Sequence, residues 1–382
     1  MTTRAGRYQR QRLGYDAFIP EPLPPEPPLR WTDDLLLALS EADRALGRLN
    51  GVSRSLPNPE LFVAAYVRRE ALYSSEIEGI HSTLDDLLAV EVSDTARRVD
   101  VDLTAAYNHV QAMNLGLDLL SSMPLSGPLI LAIHRELLQG VRGHERTPGE
   151  FRRTQNWIGP EGCTVESAHF VPPPPEEVPD AMADLEDYFR DRTVPPLVVA
   201  GLAHAQFETI HPFGDGNGRV GRLLITLYLT ERGLLHKPLL YPSLYLKQNR
   251  LEYYERLNLV RHRGDWEGWL RFFLDGLRIA ADDAARTAVG LSALREAHHR
   301  LAATENLGRY AAPLLDLLAE QPRLTIRYAT AQLGATPATA ARLLDRMGEL
   351  GVVAEVTGQR RNRVYSYSPF LDILTAEGAG AG

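Results

Sequence analysis

The chain has little sulfur and no long apolar run, and both absences limit what it can be. Its single cysteine, Cys163, excludes an internal disulfide and any metal site built from several cysteines. No apolar stretch reaches the ~20 residues that a membrane-spanning helix needs. The first residues, 1–7, also lack the apolar segment of a secretory signal peptide. We therefore expect a cytoplasmic protein that does not interact with membranes.

An excess of positive charge is likewise absent. The 382 residues hold 41 Lys and Arg against 49 Asp and Glu, giving a formal net charge of −8. This balance argues against a protein that coats nucleic acid, although it allows a local basic patch. Hydrophobic residues make up 44% of the chain and charged residues 24%, which are ordinary values for a globular protein of two or three domains.

The most informative stretch is IHPFGDGNGRVGR, from Ile210 to Arg222, which combines an imidazole, a carboxylate, an amide, two guanidinium groups and four glycines. The apolar run that follows predicts a buried helix ended by Gly233. The glycine loop therefore leads into a helix N-terminus. Unpaired backbone N–H groups and the positive end of the helix dipole make such a terminus an anion site.

The side chains of this stretch suit phosphate chemistry. Arg219 and Arg222 lie three residues apart, so both can reach over the loop and donate forked hydrogen bonds to phosphate oxygens. Asp215 is a hard oxygen ligand of the kind that Mg²⁺ accepts beside phosphates and water. His211 is the group in this stretch that can exchange a proton near neutral pH. The set predicts a phosphoryl- or nucleotidyl-transfer site.

Simpler interpretations explain this stretch less well. Asn217-Gly218 is a common hairpin turn, but a hairpin needs strands on both sides and the downstream side is helical. An EF-hand loop needs an oxygen ligand where Arg219 stands. A lone histidine is usually structural. The presence of Asp215, the glycines and the two arginines beside it favours a catalytic His211.

Residues His211 to Arg222 match the Fic signature, His-x-Phe-x-[Asp/Glu]-Gly-Asn-Gly-Arg-x-x-Arg, at every defined position. The chain thus resembles the Fic family, which implies a mainly helical fold and transfer of AMP from ATP to a protein hydroxyl. The resemblance implies that His211 deprotonates this hydroxyl, that Asp215 ligates Mg²⁺, and that Asn249 lies at the adenine. It assigns binding of the ATP phosphates to five residues: Gly216, Asn217, Gly218, Arg219 and Arg222.

A second motif lies upstream, on a helix predicted over about 58–79. Ser74-x-x-x-Glu78-Gly79 matches the inhibitory motif of the family, [Ser/Thr]-x-x-x-Glu-[Gly/Asn]. The resemblance implies that Glu78 pairs with Arg222 and displaces the γ-phosphate of ATP, because one carboxylate and one phosphate cannot share a guanidinium. We therefore expect a self-inhibited enzyme, with Ser74 and Glu78 as its inhibitory residues.

Two short β-like runs, 155–158 and 168–171, predict a hairpin. This hairpin resembles the flap of the family, which holds the modified segment of the target by strand addition. His169 lies within it. We prefer His211 as the base, because Asp215 and the glycine loop lie beside His211.

The rest of the chain is predicted to be mainly helical. Asn50-Gly51 is expected to end a first helix, and Asn58 to be the N-cap of the inhibitory helix. Residues 8–30, rich in proline, are expected to run extended over the surface, and His134 is interpreted as structural. Periodicity predicts further helices over about 32–49, 102–122, 126–140, 177–192, 196–210, and onward to about 303.

Residues 306–374 have the pattern of a winged helix-turn-helix domain. Helices are predicted over 309–319, 326–333 and 337–350, followed by β-like runs over 352–356 and 363–367. The turn 357–362 is basic, but residues 305–382 carry eight Lys and Arg and eight Asp and Glu. The pattern therefore allows DNA as a partner without requiring it. Residues 375–382 are expected to form a disordered tail.

These observations divide the chain into an N-terminal region (1–100) with the inhibitory helix, a Fic-type catalytic core (101–303) with its flap, and the winged helix-turn-helix domain (306–374). We expect a self-inhibited, Mg²⁺-dependent protein adenylyltransferase that modifies Ser, Thr or Tyr of a target or of itself, in a homodimer. Two alternatives stay open. One is a DNA-binding transcription regulator with the core as nucleotide sensor. The other is an enzyme that also removes AMP.

Overall fold

The computed structural model of the chain describes residues 2–56, 58–92, 101–141, 147–160, 162–359 and 362–376. These residues form fifteen α-helices, one 3-10 turn and six short β-strands, so the expected mainly α fold is confirmed. The first eleven helices are α1 (Asp33–Ser55), α2 (Glu60–Ile77), α3 (Leu84–Val92), α4 (Val101–Leu119), α5 (Gly127–Leu137), α6 (Val178–Phe189), α7 (Pro196–Ile210), α8 (Asn217–Glu231), α9 (Ser243–Gln248), α10 (Arg250–Arg263) and α11 (Trp266–Thr304).

Helices α7 and α8 form the centre of the core. All residues of α7 from Leu197 to Ile210 are buried, as are all residues of α8 from Asn217 to Leu229. The long helix α11 packs against both α1 and α7. Trp269 of α11 donates a hydrogen bond from Nε1 to the carbonyl oxygen of Gly201 at 2.7 Å. The buried helices predicted before and after the glycine loop are thus confirmed. The loop connects two helices that are held in place by the core.

Two predicted helix ends are wrong. Helix α1 continues through Asn50-Gly51 to Ser55. The Asn50 amide, which could compete with the helix backbone, instead accepts from the N–H of His236 at 2.8 Å and donates to the carbonyl of Leu234. Helix α2 begins at Glu60, with the preceding proline rather than Asn58 at its N-cap position and without a side-chain cap.

The N-terminal residues form an antiparallel sheet in the order β1 (Thr2–Thr3), β2 (Gly6–Arg10), β3 (Asp16–Pro20). The predicted flap is reduced to one antiparallel bridge between Ile158 and Phe170. Residues 172–175 are all proline, and proline has no N–H to extend the ladder. The carbonyl of Val171 instead accepts from the N–H of Phe18 in β3 at 2.9 Å.

The C-terminal part of the chain consists of α12 (Ala311–Glu320), β4 (Arg323–Thr325), α13 (Ile326–Leu333), α14 (Pro337–Glu349), β5 (Ala354–Glu355), β6 (Val364–Ser366) and α15 (Ser368–Thr375). This is the predicted order of helices and strands, together with two elements that the sequence did not indicate, β4 and α15. The strands form an antiparallel sheet in the order β4-β6-β5. Residues 360 and 361 of the basic turn, and 377–382 of the expected tail, lie outside the described residues.

The C-terminal part packs directly on α2. Arg68 donates to the carbonyl oxygen of Glu320 at 3.1 Å and to Oε1 of Gln321 at 3.0 Å. The rings of Phe62 and Phe370 stack at a centroid distance of 6.5 Å. The expected boundary at residue 100 lies outside the described residues, which resume at 101. None of the helices in the described ranges is both long and apolar enough to cross a bilayer.

Candidate active site

The glycine loop turns sharply between α7 and α8. His211 ends α7 in the left-handed conformation, with φ 49° and ψ 59°, and Gly216 precedes α8 with φ 76°. Left-handed backbone is uncommon for a histidine, whereas glycine adopts it freely. Asn217 closes the loop: its Oδ1 accepts from the N–H of Phe213 at 2.8 Å, and its Nδ2 donates to the carbonyl of Phe213 at 2.9 Å.

His134 of α5 holds the loop from the other side, as its structural interpretation predicts. Its ring stacks on Phe213 with centroids 3.7 Å apart. Its Nδ1 accepts from the N–H of Gly149 at 2.9 Å, so its Nε2 carries the proton and donates to the carbonyl of Asp215 at 3.1 Å. Burial lowers the pKa of His134 to about 4, which keeps this neutral tautomer at physiological pH.

The first turn of α8 is arranged as a cradle that could hold an anion. A Cβ on residue 218 would lie 2.9 Å from Nη1 of Arg222 and 3.1 Å from the carboxyl carbon of Glu78, so glycine is needed at Gly218 for the carboxylate to approach. Arg219 is 3% exposed, and its Nε and Nη1 have no hydrogen-bond partner within the described residues. Its Nη2 lies 3.9 Å from Oδ1 of Asp215. A buried guanidinium with open donors is a ready anion ligand.

Three hydrogen bonds tie Arg222 to the C-terminal end of α2. Its Nε donates to Oγ of Ser74 and its Nη2 to the carbonyl oxygen of Ser74, both at 2.8 Å. The same Nη2 donates to Oε1 of Glu78 at 2.8 Å. The side chain of Arg222 is 1% exposed and that of Glu78 is 35% exposed, so the carboxylate covers the cradle from the solvent side. The two sequence motifs therefore meet at one guanidinium.

The electrostatics of the site keep Glu78 charged and His211 neutral. Burial alone would raise the pKa of Glu78, but the guanidinium of Arg222 and its hydrogen bond, with the charge of Arg219, hold that pKa below its ordinary value. Burial lowers the pKa of His211 to about 3, and the charges of Arg261 and Arg152 add to this effect, whereas Glu78 opposes it. At neutral pH the imidazole is therefore free to accept a proton.

Asp215 is the carboxylate that could hold a metal ion at this site. Its side chain is 35% exposed, and its Oδ1 accepts from the N–H of Gly216 at 2.6 Å. Across the described residues, no group of three or more His, Cys, Asp or Glu side chains could hold a metal ion. One carboxylate beside a phosphate site fits Mg²⁺, which takes most of its ligands from phosphates and water.

Two other predicted residues lie elsewhere. Asn249 lies between α9 and α10, where its Nδ2 donates to the carbonyl of Tyr245 at 3.0 Å. The role of Asn249 at the adenine stays a prediction. His169 is exposed, and its N–H donates to the carbonyl of Ile158 at 2.9 Å.

Sequence patterns missed Arg152 and Glu208. Arg152 is 4% exposed, and its Nε donates to the carbonyl of His211 at 2.9 Å. It lines a cavity of about 580 Å³ beside the loop, together with Asn156, Trp157 and Gly214. Glu208 is buried on α7 and its pKa is raised to about 7, chiefly by burial. The only sequence signal for Arg152 was its place between Gly149 and the predicted flap.

Two family models match the chain. Residues 36–118 match the Fic/DOC family N-terminal model, and residues 124–229 match the Fic/DOC family model. The protein adenylyltransferase Fic of Drosophila grimshawi is 31% identical over 248 residues, which are 63% of this chain and 47% of that protein. That of Drosophila willistoni is 32% identical over 211 residues, or 53% of this chain and 38% of that protein. The chain thus spans less than half the length of these relatives.

Solved structures share the fold. A Fic family protein from Desulfovibrio desulfuricans superposes with a TM-score of 0.56 at 21% identity, covering 92% of this chain and 99% of that one. A Fic domain containing signaling protein from Bacteroides thetaiotaomicron gives a TM-score of 0.52 at 19% identity, covering 66% of this chain and 96% of that one. With the complete signature on the α7–α8 loop and both family models matched, residues 36–118 and 124–229 of the chain belong to the Fic/DOC family.

Proposed function

We propose that this protein is a self-inhibited, Mg²⁺-dependent protein adenylyltransferase, which transfers AMP from ATP to a Ser, Thr or Tyr hydroxyl of a target protein or of itself. One observation carries the proposal: the carboxylate of Glu78 lies on the anion cradle of α8, on the same guanidinium that a triphosphate would need. The names of the curated relatives support the reaction class.

The transfer needs a base and a site for the triphosphate. His211 accepts the proton of the target hydroxyl while the hydroxyl oxygen attacks the α-phosphorus of ATP. The bond from the α-phosphorus to the bridging oxygen breaks, and pyrophosphate leaves. The charge of bound triphosphate would raise the pKa of His211 from about 3 and make it a stronger base when substrate is present.

The arginines and the helix N-terminus stabilise the negative charge of the reacting phosphates. Arg219 offers the open donors described above, and the backbone N–H groups of the first turn of α8 offer a positive field. Asp215 would hold Mg²⁺, which neutralises phosphate charge when it is bound. Asn217 contributes through the loop, because both ends of its amide are used by Phe213.

Self-inhibition follows from competition for Arg222. A carboxylate already paired with this guanidinium must leave before a γ-phosphate oxygen can replace it. The exchange is costly because Arg222 is buried, where ion pairs are screened weakly by water. ATP bound in the presence of Glu78 would therefore lie away from its reactive position.

DNA binding by residues 306–374 and a homodimer are secondary proposals. A DNA-binding face needs uncompensated positive charge. Several arginines of this part are paired with carboxylates: Arg346 with Glu305 and Glu349, Arg363 with Asp345, and Arg323 with Asp85. This pairing favours the enzymatic role as the principal one.

Labelled ATP tests the proposal. We expect Glu78→Gly protein incubated with α-labelled ATP and Mg²⁺ to label itself or lysate proteins at least about tenfold more than the wild type, if the lost pair is worth about 1.4 kcal/mol. The variant carrying both Glu78→Gly and His211→Ala should not label. Label from γ-labelled ATP would indicate a kinase. Absence of label from both nucleotides would contradict the proposal.

A further inference from the structure

Arg152 joins the residues before the candidate flap to the end of α7. Among the described residues its guanidinium donates only to backbone carbonyls: that of His211 at 2.9 Å, those of Ile210 and Thr154 at 3.4 Å each, and that of Pro173. Its own N–H donates to the carbonyl of Pro212 at 2.9 Å. Arg152 thus connects the segment before the flap, the prolines after it and the end of α7.

Residues 152–156 donate hydrogen bonds to four successive carbonyls, those of residues 210–213. Arg152 donates to the first three. Asn156 donates to the carbonyl of Phe213 at 2.9 Å and to that of His211 at 3.5 Å. Carbonyls at a helix C-terminus have no partner within the helix. Residues 152–156 therefore hold the start of the loop between α7 and α8 from outside, in addition to the contacts of Asn217 and His134.

Arg152 is a buried cation without a carboxylate partner. It is 4% exposed, and none of the ion pairs among the described residues includes it. Burial lowers its pKa to about 10, so it stays charged at neutral pH. The charge of Glu176 acts on Arg152 without an ion-pair contact. The negative end of the α7 dipole and the carbonyls of residues 154, 173, 210 and 211 compensate the cation further. Burying a cation that forms no ion pair is costly, and such a group calls for a functional explanation.

We propose that Arg152 is a positioning residue, which holds His211 in its left-handed conformation and so fixes the direction of the imidazole for proton transfer. A left-handed histidine costs on the order of 1–3 kcal/mol and persists only where its surroundings enforce it. The carbonyl of His211 is the group through which Arg152 enforces it. The inference rests on the proposed function, because proton transfer is what the imidazole is positioned for.

Substitution in the Glu78→Gly background separates positioning from nucleotide binding. We expect Arg152→Met to lower kcat about 100-fold, since a misplacement of about 1 Å can cost that much. The KM for ATP should change less than about threefold, because the cradle on α8 has no contact with Arg152 among the described residues. Arg152→Lys, which keeps the charge but not the fork, should recover part of kcat.

Arg68→Met is the matched control. Arg68 is also buried and also donates to a backbone carbonyl, but it lies on α2, away from the loop. We expect it to lower the melting temperature as Arg152→Met does and to leave kcat unchanged. A kcat within about twofold of the parent for Arg152→Met, or a KM that rises in proportion to the loss, would overturn the inference. If Arg152→Met does not fold, the lysine variant is judged by the same kcat and KM criteria.

A crystal structure of Arg152→Met, or of Arg152→Lys if the methionine variant does not fold, decides the matter independently of activity. We expect φ of His211 to leave the left-handed region. A His211 that keeps φ near 49° without the guanidinium would refute the positioning role. The crystal structure tests the positioning role even if the Glu78→Gly parent transfers no AMP. In that case only the proposed function is refuted.

Discussion

The carboxyl carbon of Glu78 lies 3.1 Å from the place where a side chain on Gly218 would begin. Under the proposed function, the carboxylate of Glu78 and a bound phosphate would therefore compete for one volume as well as for one guanidinium. Electrostatics and sterics act in the same direction here: whatever fills the first turn of α8 excludes the other ligand.

Gly218→Ala should displace Glu78 without activating the protein. The added methyl group would fill the space that a phosphate needs, so we expect ATP affinity in the Glu78→Gly background to fall about tenfold or more, measured by calorimetry. Gly47→Ala on α1 is the control, because nothing lies within 4 Å of its added Cβ. It should leave affinity unchanged and stabilise the helix by about 1 kcal/mol. Unchanged affinity in Gly218→Ala would place the phosphates elsewhere.

Ser74→Ala should weaken ATP binding even when Glu78 is absent. Oγ of Ser74 accepts from Nε of Arg222 at 2.8 Å, and losing a hydrogen bond of about 1 kcal/mol lowers affinity about fivefold. Ser75→Ala is the matched control: Ser75 is also fully buried, but its hydroxyl has no partner in the described structure. Equal affinities of the two variants, both made in the Glu78→Gly background, would show that this contact does not orient the guanidinium.

Glu208→Gln should remove one contribution to the pH dependence of stability. The folded pKa of Glu208 is about 7, against a model-compound value of 4.5. Between these values this carboxyl group binds fewer protons in the unfolded chain than in the folded one, so its contribution to the free energy of unfolding falls as pH rises from about 5 to 7. We expect the variant to be more stable than the wild type by about 1–3 kcal/mol at pH 8 and by much less at pH 5, measured by urea unfolding.

Glu70 makes a second contribution of the same sign. It is also buried, and its pKa is likewise raised to about 7 by burial. Buried neutral histidines such as His134 and His211, whose pKa values are lowered, contribute with the opposite sign. Each glutamine variant is therefore compared with the wild type at the same pH. A stability difference between Glu208→Gln and the wild type that does not grow from pH 5 to pH 8 would contradict the assignment of Glu208, and the same comparison applies to Glu70→Gln.

His134→Phe should loosen the loop while keeping its stacking partner. The phenyl ring can still pack on Phe213, but the hydrogen bonds to Gly149 and Asp215 are lost. Leaving those backbone groups unpaired should cost about 1–3 kcal/mol in unfolding free energy. His109→Leu is the control, because neither ring nitrogen of buried His109 has a partner in the described ranges. An equal or larger loss in His109→Leu would mean that packing, not hydrogen bonding, explains the effect.

The sequence predicted the parts of the site that are local. The glycines of the loop, the arginines at i and i+3 and the apolar run of α8 are spaced by the chain itself, and they lie where the spacing indicated. The contact of Glu78 with Arg222 joins residues 144 apart. It was predicted only because the pattern around Ser74 resembles a family motif, since periodicity carries no information about distant partners.

The features that the sequence did not predict depend on tertiary contacts or on backbone N–H groups that proline lacks. Arg152 acts on a carbonyl 59 residues later in the chain, and no local pattern marks such a pair. Asn50 does not end α1, because its amide bonds residues that lie beyond α8. The flap has one bridge rather than a ladder because prolines follow Val171. Each of these departures has a chemical cause that becomes visible only once the chain is folded.

The two bonds from Arg222 to Ser74 have a consequence for activation under the proposed function. Neither bond involves Glu78, so we expect the guanidinium to keep both bonds and to stay pre-organised when the carboxylate withdraws. The conformational entropy of this long side chain would then be lost when the protein folds, not when nucleotide arrives. Release of inhibition would therefore expose a finished binding group, and the incoming phosphate would have only to displace water.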